Sequence, residues 1–250
     1  MTNLKAVIFD MDGTLVEFKY DAKEVSKRVR TFILCNGMPE ELFKPDEPLS
    51  DNIERLKSYL IQKGDKEHLL ELKDGVEKIM LKYEMRAVRS TKMLVGVEET
   101  LKELRAKGLQ LTVLSNAGSL SLGYLLRRFN LEDRFDHIVS RDECEAMKPS
   151  PDGVMKLLEL VGAKNDEVVL VGDSVIDMIA AQRAGVMPVG VASGARTAPD
   201  LKRAGAAFVL DSVVELPSLL DDLKKGKATH AVKIQSVAKP ASGSDVIKDL

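Results

Sequence analysis

A short apolar run that ends in two carboxylates constrains this chain more than any other feature of its sequence. Apolar residues occupy positions 6–9, Asp10 follows at once, and Asp12 and Gly13 come two and three residues later. A continuous apolar run of this length, bounded by turn residues, indicates a strand buried on both faces, as the strands of a parallel sheet are. We therefore predict a buried first strand that ends at an acidic turn, where Gly13 lets the backbone turn sharply.

Two explanations fit this acidic turn. Carboxylates that lie close together raise each other's pKa unless a cation or a hydrogen-bond donor compensates, and Mg²⁺ is a cation that prefers carboxylate and water oxygens. Asp-Gly is also ordinary turn chemistry that needs no ligand. The segment alone leaves both explanations open, because the partners of a metal or phosphate site must come from other parts of the chain.

From Val95 onward, predicted strands and helices alternate along the chain. The strands fall at residues 109–114, 135–139, 168–171, 186–191 and 207–210, and the helices at 98–107, 119–130, 151–161, 174–184 and 198–204. Strands that alternate with helices of this length indicate βαβ units around a parallel sheet. We therefore predict an α/β fold for this part of the chain.

The segment between the first strand and residue 92 has no convincing strand pattern. Apolar residues at helical spacing predict helices at about 21–35, 50–64 and 66–88. In the second of these, Ile53, Leu56, Leu60 and Ile61 are expected on one buried face. Gly75 lies inside the third of these and weakens the expectation that it is unbroken. We therefore predict an all-helical domain inserted after the first strand.

These patterns divide the chain into three parts. Residues 1–16 and 92–223 form the predicted core, residues 17–91 the inserted helical domain, and residues 224–250 a basic tail. The tail carries six lysines against two aspartates and few large apolar residues, a composition typical of a flexible segment. A weak alternation at 231–238 is compatible with an edge strand.

Composition excludes several classes of protein. A net charge of −2 provides no whole-chain field for nucleic acid or an anionic membrane. The two cysteines, Cys35 and Cys144, lie far apart without a CxxC motif, which argues against a disulfide framework or a zinc site. No apolar stretch approaches the ~20 residues of a membrane span, and the first strand begins too early to follow a signal segment. We therefore expect a cytoplasmic protein.

Polar residues follow the predicted strands at the edge of a parallel sheet where ligands bind. Ser115 and Asn116 follow the second strand and offer a hydroxyl, an amide and backbone N–H groups to an anion, although both are also favoured helix caps. Asp173 follows the strand at 168–171, and Asp177 comes one helical turn later, so both carboxylates can face one point. Acidic residues are also favourable at a helix N-terminus without any ligand, which explains Asp173 better than Asp177.

Lys148 lies between these segments in a Lys-Pro-Ser-Pro sequence. The two prolines hold it on a stiff segment that opens a helix. Most lysines are solvated surface charges. However, four carboxylates near one point need a cation besides a metal, and a fixed ammonium also neutralises a phosphate. Chance is a sufficient explanation for any one of these motifs. It is a poor explanation for all four in this order, each at its expected strand end.

Four motifs in this order resemble those of the haloacid dehalogenase-like superfamily, whose members are mostly phosphatases: Asp10-x-Asp12-Gly13-Thr14, Ser115, Lys148 and Gly172-Asp173-Ser174-x-x-Asp177. The resemblance covers residues 5–15 and about 92–222. The helical insert is similar to the α-helical cap of the superfamily's phosphoglycolate phosphatase-like branch. The resemblance implies a Rossmann-like parallel sheet core with an all-helical cap domain inserted after the first strand, while the insert and tail carry no motif that identifies a substrate.

The resemblance also implies roles for these residues. Asp10 is the expected nucleophile, which takes the phosphoryl group as an aspartyl-phosphate. Asp12 is the expected general acid, which protonates the leaving oxygen and then, as a base, activates water. Mg²⁺ is the expected cofactor, bound by the Asp10 carboxylate, the Asp12 backbone carbonyl and Asp173. Asp177 is expected to complete the acidic cluster through water or Lys148.

The transferring phosphoryl oxygens are expected at Ser115, Asn116 and Lys148, which supply the positioning and charge neutralisation that phosphoryl transfer needs. We therefore predict a Mg²⁺-dependent phosphatase that hydrolyses a small phosphomonoester similar to phosphoglycolate or a sugar phosphate. The expected partner is a small phosphorylated metabolite, with no nucleic acid and no membrane. The expected state is a monomer or a homodimer.

Two other functions stay open. A sugar phosphomutase would use the same aspartyl-phosphate chemistry and return the phosphoryl group to its substrate, so the motifs do not separate the two activities. A non-enzymatic module that binds a phosphorylated ligand is expected to have lost at least one of the motif carboxylates or Lys148, and all are present. Dehalogenation is not expected, because the superfamily's dehalogenases lack an acidic residue at the position that Asp12 occupies here.

Overall fold

The computed structural model describes residues 4–17, 20–194 and 196–226. These residues divide into two compact units, one made of residues 4–17 and 91–226 and the other of residues 20–90. The predicted tail beyond residue 226, including the edge strand expected at 231–238, lies outside the described residues.

The smaller unit, residues 20–90, is helical. Its helices are α1 (Ala22–Cys35), α2 (Leu49–Lys63) and α3 (Lys66–Ser90), and a 3-10 turn spans Glu40–Leu42. The buried apolar residues of the three helices recur at three- and four-residue steps, as amphipathic helices require: Val25, Val29, Ile33, Leu56, Leu60, Leu72, Val76 and Met80. A helical hydrophobic core therefore holds this unit together.

Two sequence expectations for this unit differ from the structure. Gly75 does not interrupt α3, because it provides room for the ring of Phe32 from α1: a Cβ at Gly75 would lie 2.8 Å from Cε2 of that ring. Ile61, expected on the buried face of α2, is 61% exposed. The buried face of α2 follows Leu56 and Leu60, and the next residue lies about 100° further around the helix.

The larger unit contains a six-stranded parallel sheet. Its strands are β1 (Ala6–Phe9), β2 (Gln110–Leu114), β3 (His137–Val139), β4 (Val168–Gly172), β5 (Met187–Val191) and β6 (Phe208–Leu210). They lie in the order β3-β2-β1-β4-β5-β6, and each neighbouring pair is parallel. The predicted α/β fold with a Rossmann-like sheet is confirmed.

β1 lies at the point where the order of strands in the sheet changes direction: β2 and β3 follow on one side of it, and β4, β5 and β6 on the other. Phe9 pairs with Val113 of β2 on one side and with Val171 of β4 on the other, and every residue of β1 is buried. Ligands of open parallel sheets bind outside the carboxyl ends of the strands at such a switch point. Asp10 directly follows β1, so the strand order places its carboxylate at this position.

Helices cover the sheet. They are α4 (Val97–Ala106), α5 (Ser119–Arg128), α6 (Asp152–Val161), α7 (Val175–Arg183), α8 (Ala198–Arg203) and α9 (Leu216–Lys225). α6 and α7 bury apolar residues against β1 and β4 in one cluster, which includes Ile8, Leu157, Leu170 and Ala181. This packing buries the centre of the sheet in apolar side chains. The polar residues lie at the carboxyl edge of the sheet.

Helix α9 has no counterpart in the sequence prediction. Pro217 lies in its first turn, where proline is tolerated because the backbone N–H there has no helical partner, and Leu216 and Leu220 are buried. Lys224 and Lys225, assigned to the tail, end this helix. The described helix therefore runs two residues past the predicted boundary between core and tail.

Candidate active site

The polar residues that follow β1, β2 and β4 lie at one edge of the sheet. The backbone pairing continues past the strands: Asp10 N donates to Val171 O at 2.9 Å, and Ser115 N donates to Val139 O at 3.0 Å. The side chains of Asp10, Ser115 and Asp173 are all buried. The order of the strands in the sheet makes these distant parts of the chain neighbours.

Lys148 enters the cluster from the loop between β3 and α6. Its ammonium donates to Asp10 Oδ1 at 2.6 Å, to Asp177 Oδ1 at 2.7 Å and to Leu114 O at 3.0 Å. An ammonium has three protons, so these three acceptors use all of them. Burial works to lower the pKa of Lys148, but the attraction of Asp10 and Asp177 prevails and raises it above the ordinary value. Lys148 is therefore a fixed positive charge inside the fold.

Three carboxylates around this ammonium form a set of oxygen donors. One carboxylate oxygen from each of Asp10, Asp173 and Asp177 lies within 4.8 Å of the other two, and all three residues are buried. Three negative charges outweigh the single ammonium of Lys148. Mg²⁺ binds to oxygen donors of this kind, so the residues fit the expected cofactor.

Asp12 lies in the tight turn after β1. Gly13, at φ 83°, closes the turn because its N–H donates to Val16 O at 2.8 Å. The Asp12 side chain is half-buried, which suits a group that exchanges protons with a leaving oxygen and with water. Thr14 lies beside it, and its hydroxyl is 3.4 Å from Asp10 Oδ2.

Burial raises the pKa of Asp10 well above its ordinary value. The ammonium of Lys148 opposes this rise, and the nearby carboxylates of Asp177, Asp173 and Asp12 add to it. Burial, together with the neighbouring carboxylates, therefore makes the charge of Asp10 unfavourable, and a divalent cation would relieve this.

This pKa predicts how pH affects the stability of the metal-free protein. A carboxyl group whose pKa is higher in the folded than in the unfolded state contributes stability that is lost as pH rises through the folded pKa. Asp10→Asn removes that loss, because an amide does not titrate. We expect the free energy of unfolding of the wild type, measured with urea in EDTA, to fall relative to that of Asp10→Asn as the pH rises above about 4, the ordinary pKa of an aspartate. Parallel curves for the two proteins would contradict this prediction.

Ser115 and Asn116 do not cap a helix, as one interpretation of the sequence held. The N-cap of α5 is Gly118. The Ser115 hydroxyl oxygen accepts from Ala117 N at 3.0 Å, which leaves the hydroxyl proton to donate elsewhere. The Asn116 side chain pairs with the backbone of Lys148 through two hydrogen bonds of 2.9 Å, one to the carbonyl and one from the N–H. The side chain of Asn116 therefore positions Lys148.

Asp177 combines the two roles that the sequence left as alternatives. Oδ2 accepts from Ser174 N at 3.1 Å and from the Ser174 hydroxyl, which forms a capping box at the start of α7. Oδ1 accepts from Lys148. The helix cap thus orients the same carboxylate that meets the ammonium.

Arg141 and Asp142 support the loop after β2, and sequence reasoning missed both. Arg141 is buried, and its guanidinium Nη1 donates to Asn116 O at 2.7 Å. Asp142 Oδ2 accepts from Ser119 N at 2.7 Å at the start of α5. Their position directly beyond β3, at the carboxyl edge, was the signal that could have identified them.

Comparison with known proteins identifies the family. A sequence model of haloacid dehalogenase-like hydrolases matches residues 7–191. The chain belongs to the haloacid dehalogenase-like hydrolase family. The matched region begins in β1 and ends with β5, so it contains all the clustered side chains described above.

Named relatives are consistent with this family. Pyrophosphatase PpaX of Halalkalibacterium halodurans is 27% identical over 222 residues, which are 87% of this chain and 96% of the relative. Phosphoglycolate phosphatase of Aquifex aeolicus is 31% identical over 182 residues, 73% of this chain and 82% of the relative. A crystal structure from Thermotoga maritima, suggested to be a β-phosphoglucomutase, is 26% identical with a TM-score of 0.58, covering 88% of this chain and 100% of that chain.

These findings confirm the predicted family and the predicted enzyme class, a haloacid dehalogenase-like phosphatase. None of the helices within residues 4–17, 20–194 and 196–226 combines the length and apolar character that crossing a membrane requires.

Proposed function

We propose that this chain is a Mg²⁺-dependent phosphatase that hydrolyses a small soluble phosphomonoester through an aspartyl-phosphate at Asp10. The observation that carries the proposal is the buried Lys148 ammonium, which binds Asp10 and Asp177 at 2.6 and 2.7 Å beside Asp173. A fixed cation, a carboxylate nucleophile at the switch point of the sheet and further oxygen donors match the needs of phosphoryl transfer. The phosphatase names of two relatives support the same reaction class.

The proposed reaction has two steps at Asp10. A carboxylate oxygen of Asp10 attacks phosphorus and the bond from phosphorus to the leaving oxygen breaks, while Asp12 donates a proton to that oxygen. Asp12 then takes a proton from water, the water oxygen attacks phosphorus, and the bond between Asp10 and phosphorus breaks. Phosphate leaves, and both carboxyl groups return to their starting states.

Other residues of the cluster hold charge during these steps. Asp10, Asp173 and the Asp12 backbone carbonyl would bind Mg²⁺, with Asp177 acting through Lys148, and the bound ion supplies charge neutralisation for the phosphoryl oxygens. The Ser115 hydroxyl has its proton available for a phosphoryl oxygen. The backbone of Asn116 lies beside it, while the side chain of Asn116 keeps Lys148 in place.

We further propose that residues 17–91 act as the cap domain of a core made of residues 1–16 and 92–223. The helical unit is inserted between β1 and β2, so it follows the proposed nucleophile directly in the chain. A cap excludes water from a phosphoryl-transfer site and selects the substrate. The substrate would be a small phosphorylated metabolite in the cytoplasm.

Metal dependence tests the proposal. We expect a screen of small phosphomonoesters, including phosphoglycolate and hexose phosphates, to detect phosphate release with Mg²⁺ and none in EDTA. The physical reason is that the cluster is short of positive charge without a divalent cation. Inorganic pyrophosphate belongs in the same screen because of the pyrophosphatase relative. Equal phosphate release with Mg²⁺ and with EDTA would contradict the proposal.

A phosphomutase is the second candidate, favoured by the similarity to the Thermotoga maritima structure. A hexose 1-phosphate incubated with enzyme, Mg²⁺ and a sugar bisphosphate primer separates the two activities. Isomerised sugar phosphate without free phosphate would favour the mutase. Free phosphate without isomerisation would favour the phosphatase.

A further inference from the structure

The loop that follows β5 lies directly against the carboxylate of Asp173. A Cβ placed on Gly194 would lie 2.6 Å from Cγ of Asp173, and closer still to Oδ2. No carbon atom fits at that distance, so only a glycine at this position leaves room for the carboxylate. Asp173 is itself 3% exposed, which means that it cannot swing away into solvent without moving its surroundings.

The turn after β1 borders the same carboxylate from another direction. A Cβ on Gly13 would also lie 2.6 Å from Cγ of Asp173. The carboxylate therefore occupies a slot between two stretches of backbone, one at Gly13 and one at Gly194. We call this space the Asp173 slot.

A hydrogen bond joins the two walls of the Asp173 slot. The hydroxyl of Ser193 donates to the backbone carbonyl of Gly13 at 2.9 Å. The two residues are 180 positions apart in the chain, so this contact is tertiary and fixes the loop after β5 to the turn after β1. The hydrogen bond therefore ties the two sides of the slot to each other.

We propose that Ser193 and Gly194 are positioning residues for Asp173, and that the Asp173 slot sets the affinity of the site for its divalent cation. The inference rests on the proposed function, which makes Asp173 a ligand of Mg²⁺. A carboxylate held in one orientation before the cation binds does not lose side-chain freedom on binding. Residues that orient metal ligands typically change metal affinity by about 10- to 100-fold when they are substituted.

Of the two glycines that border the Asp173 slot, Gly194 is the better one to substitute. Gly13 has φ 83°, a left-handed conformation that strains any other residue, so its substitution would mix backbone strain with the clash. The backbone of Gly194 lies outside that region, and the three nearest atoms to an added methyl group there all belong to Asp173. Gly123→Ala in α5 is the matched control, because the nearest atom to a Cβ there is Nη2 of Arg127 at 3.7 Å.

The test measures binding of Mg²⁺ alone, by isothermal titration calorimetry and by the dependence of the thermal midpoint on Mg²⁺ concentration, without substrate. We expect Gly194→Ala to weaken Mg²⁺ binding about tenfold or more, and Ser193→Ala to weaken it less, while Gly123→Ala binds as the wild type does. Wild-type affinity in Gly194→Ala would overturn the inference and leave the proposed function standing. A wild type that binds no Mg²⁺ would contradict the proposed function and this inference together.

A second measurement shows whether the methyl group acts through Asp173. In metal-free protein, we expect Gly194→Ala to lower the thermal midpoint of the wild type and to have little effect in the Asp173→Gly background, where all three side-chain atoms of the clash, Cβ included, are gone. An equal loss in both backgrounds would overturn the inference, because the methyl group would then disturb something other than the carboxylate.

Discussion

Asp10→Asn is expected to abolish phosphate release and to leave the protein folded. The amide keeps the shape of the side chain but does not form an aspartyl-phosphate, and loss of a catalytic nucleophile costs about 10⁴-fold or more in kcat. Burial and neighbouring carboxylates raise the pKa of Asp10, and the Lys148 ammonium keeps Asp177 as a partner at 2.7 Å, so we expect the variant to fold. The measurement is the initial rate of phosphate release at saturating substrate and Mg²⁺, beside a circular dichroism spectrum.

Covalent labelling makes this experiment specific to the nucleophile. With a radiolabelled substrate and an acid quench, the wild type should retain label that alkali releases, as an acyl phosphate does, and Asp10→Asn should retain none. Asp74→Asn is the matched control, since Asp74 is an exposed carboxylate of α3 that pairs with Lys78. An Asp10→Asn protein with wild-type activity would refute the assignment of the nucleophile.

Lys148→Met is expected to produce the largest loss of stability among single substitutions in the cluster. The ammonium lies 2.6 Å from Asp10 and 2.7 Å from Asp177, and its side chain is 3% exposed. Removing one partner of a buried ion pair leaves uncompensated charge and typically costs about 3–5 kcal/mol. Urea unfolding in EDTA measures the loss, and phosphate release should fall with it because a phosphoryl-neutralising charge is gone.

Two further variants of this chain separate the effect of charge from the effect of burial. Lys102→Met removes an exposed lysine that pairs with Glu98 at 2.8 Å, and exposed helix pairs of this kind contribute only about 0.3–0.5 kcal/mol. Lys148→Met combined with Asp177→Asn should recover part of the lost stability, because one of the two carboxylates left without a cation is neutralised. If Lys148→Met were no less stable than Lys102→Met, the buried charge cluster would not be as described.

Most of the fold prediction came from patterns in short segments of the sequence. The apolar run of β1, the acidic turn at Asp10 and the alternation of strands and helices are properties of short segments, so element bounds agree to within a few residues. The strand predicted at 168–171 is observed at Val168–Gly172, and the helix predicted at 98–107 at Val97–Ala106. The error at Gly75 arises because a glycine inside a helix allows close packing as well as a break, and helix α9, which begins beside Pro217, was not predicted at all.

The sequence by itself determined which chemical groups stand at the strand ends, because a buried strand followed by a polar residue is visible in a few consecutive positions. Only the tertiary structure decided how those groups are used. Asn116 pairs with the Lys148 backbone, Arg141 supports Asn116, and Gly194 borders the Asp173 carboxylate. Each of these contacts joins residues from different strand ends, and their separation along the chain contains no information about the strand order that brings them together.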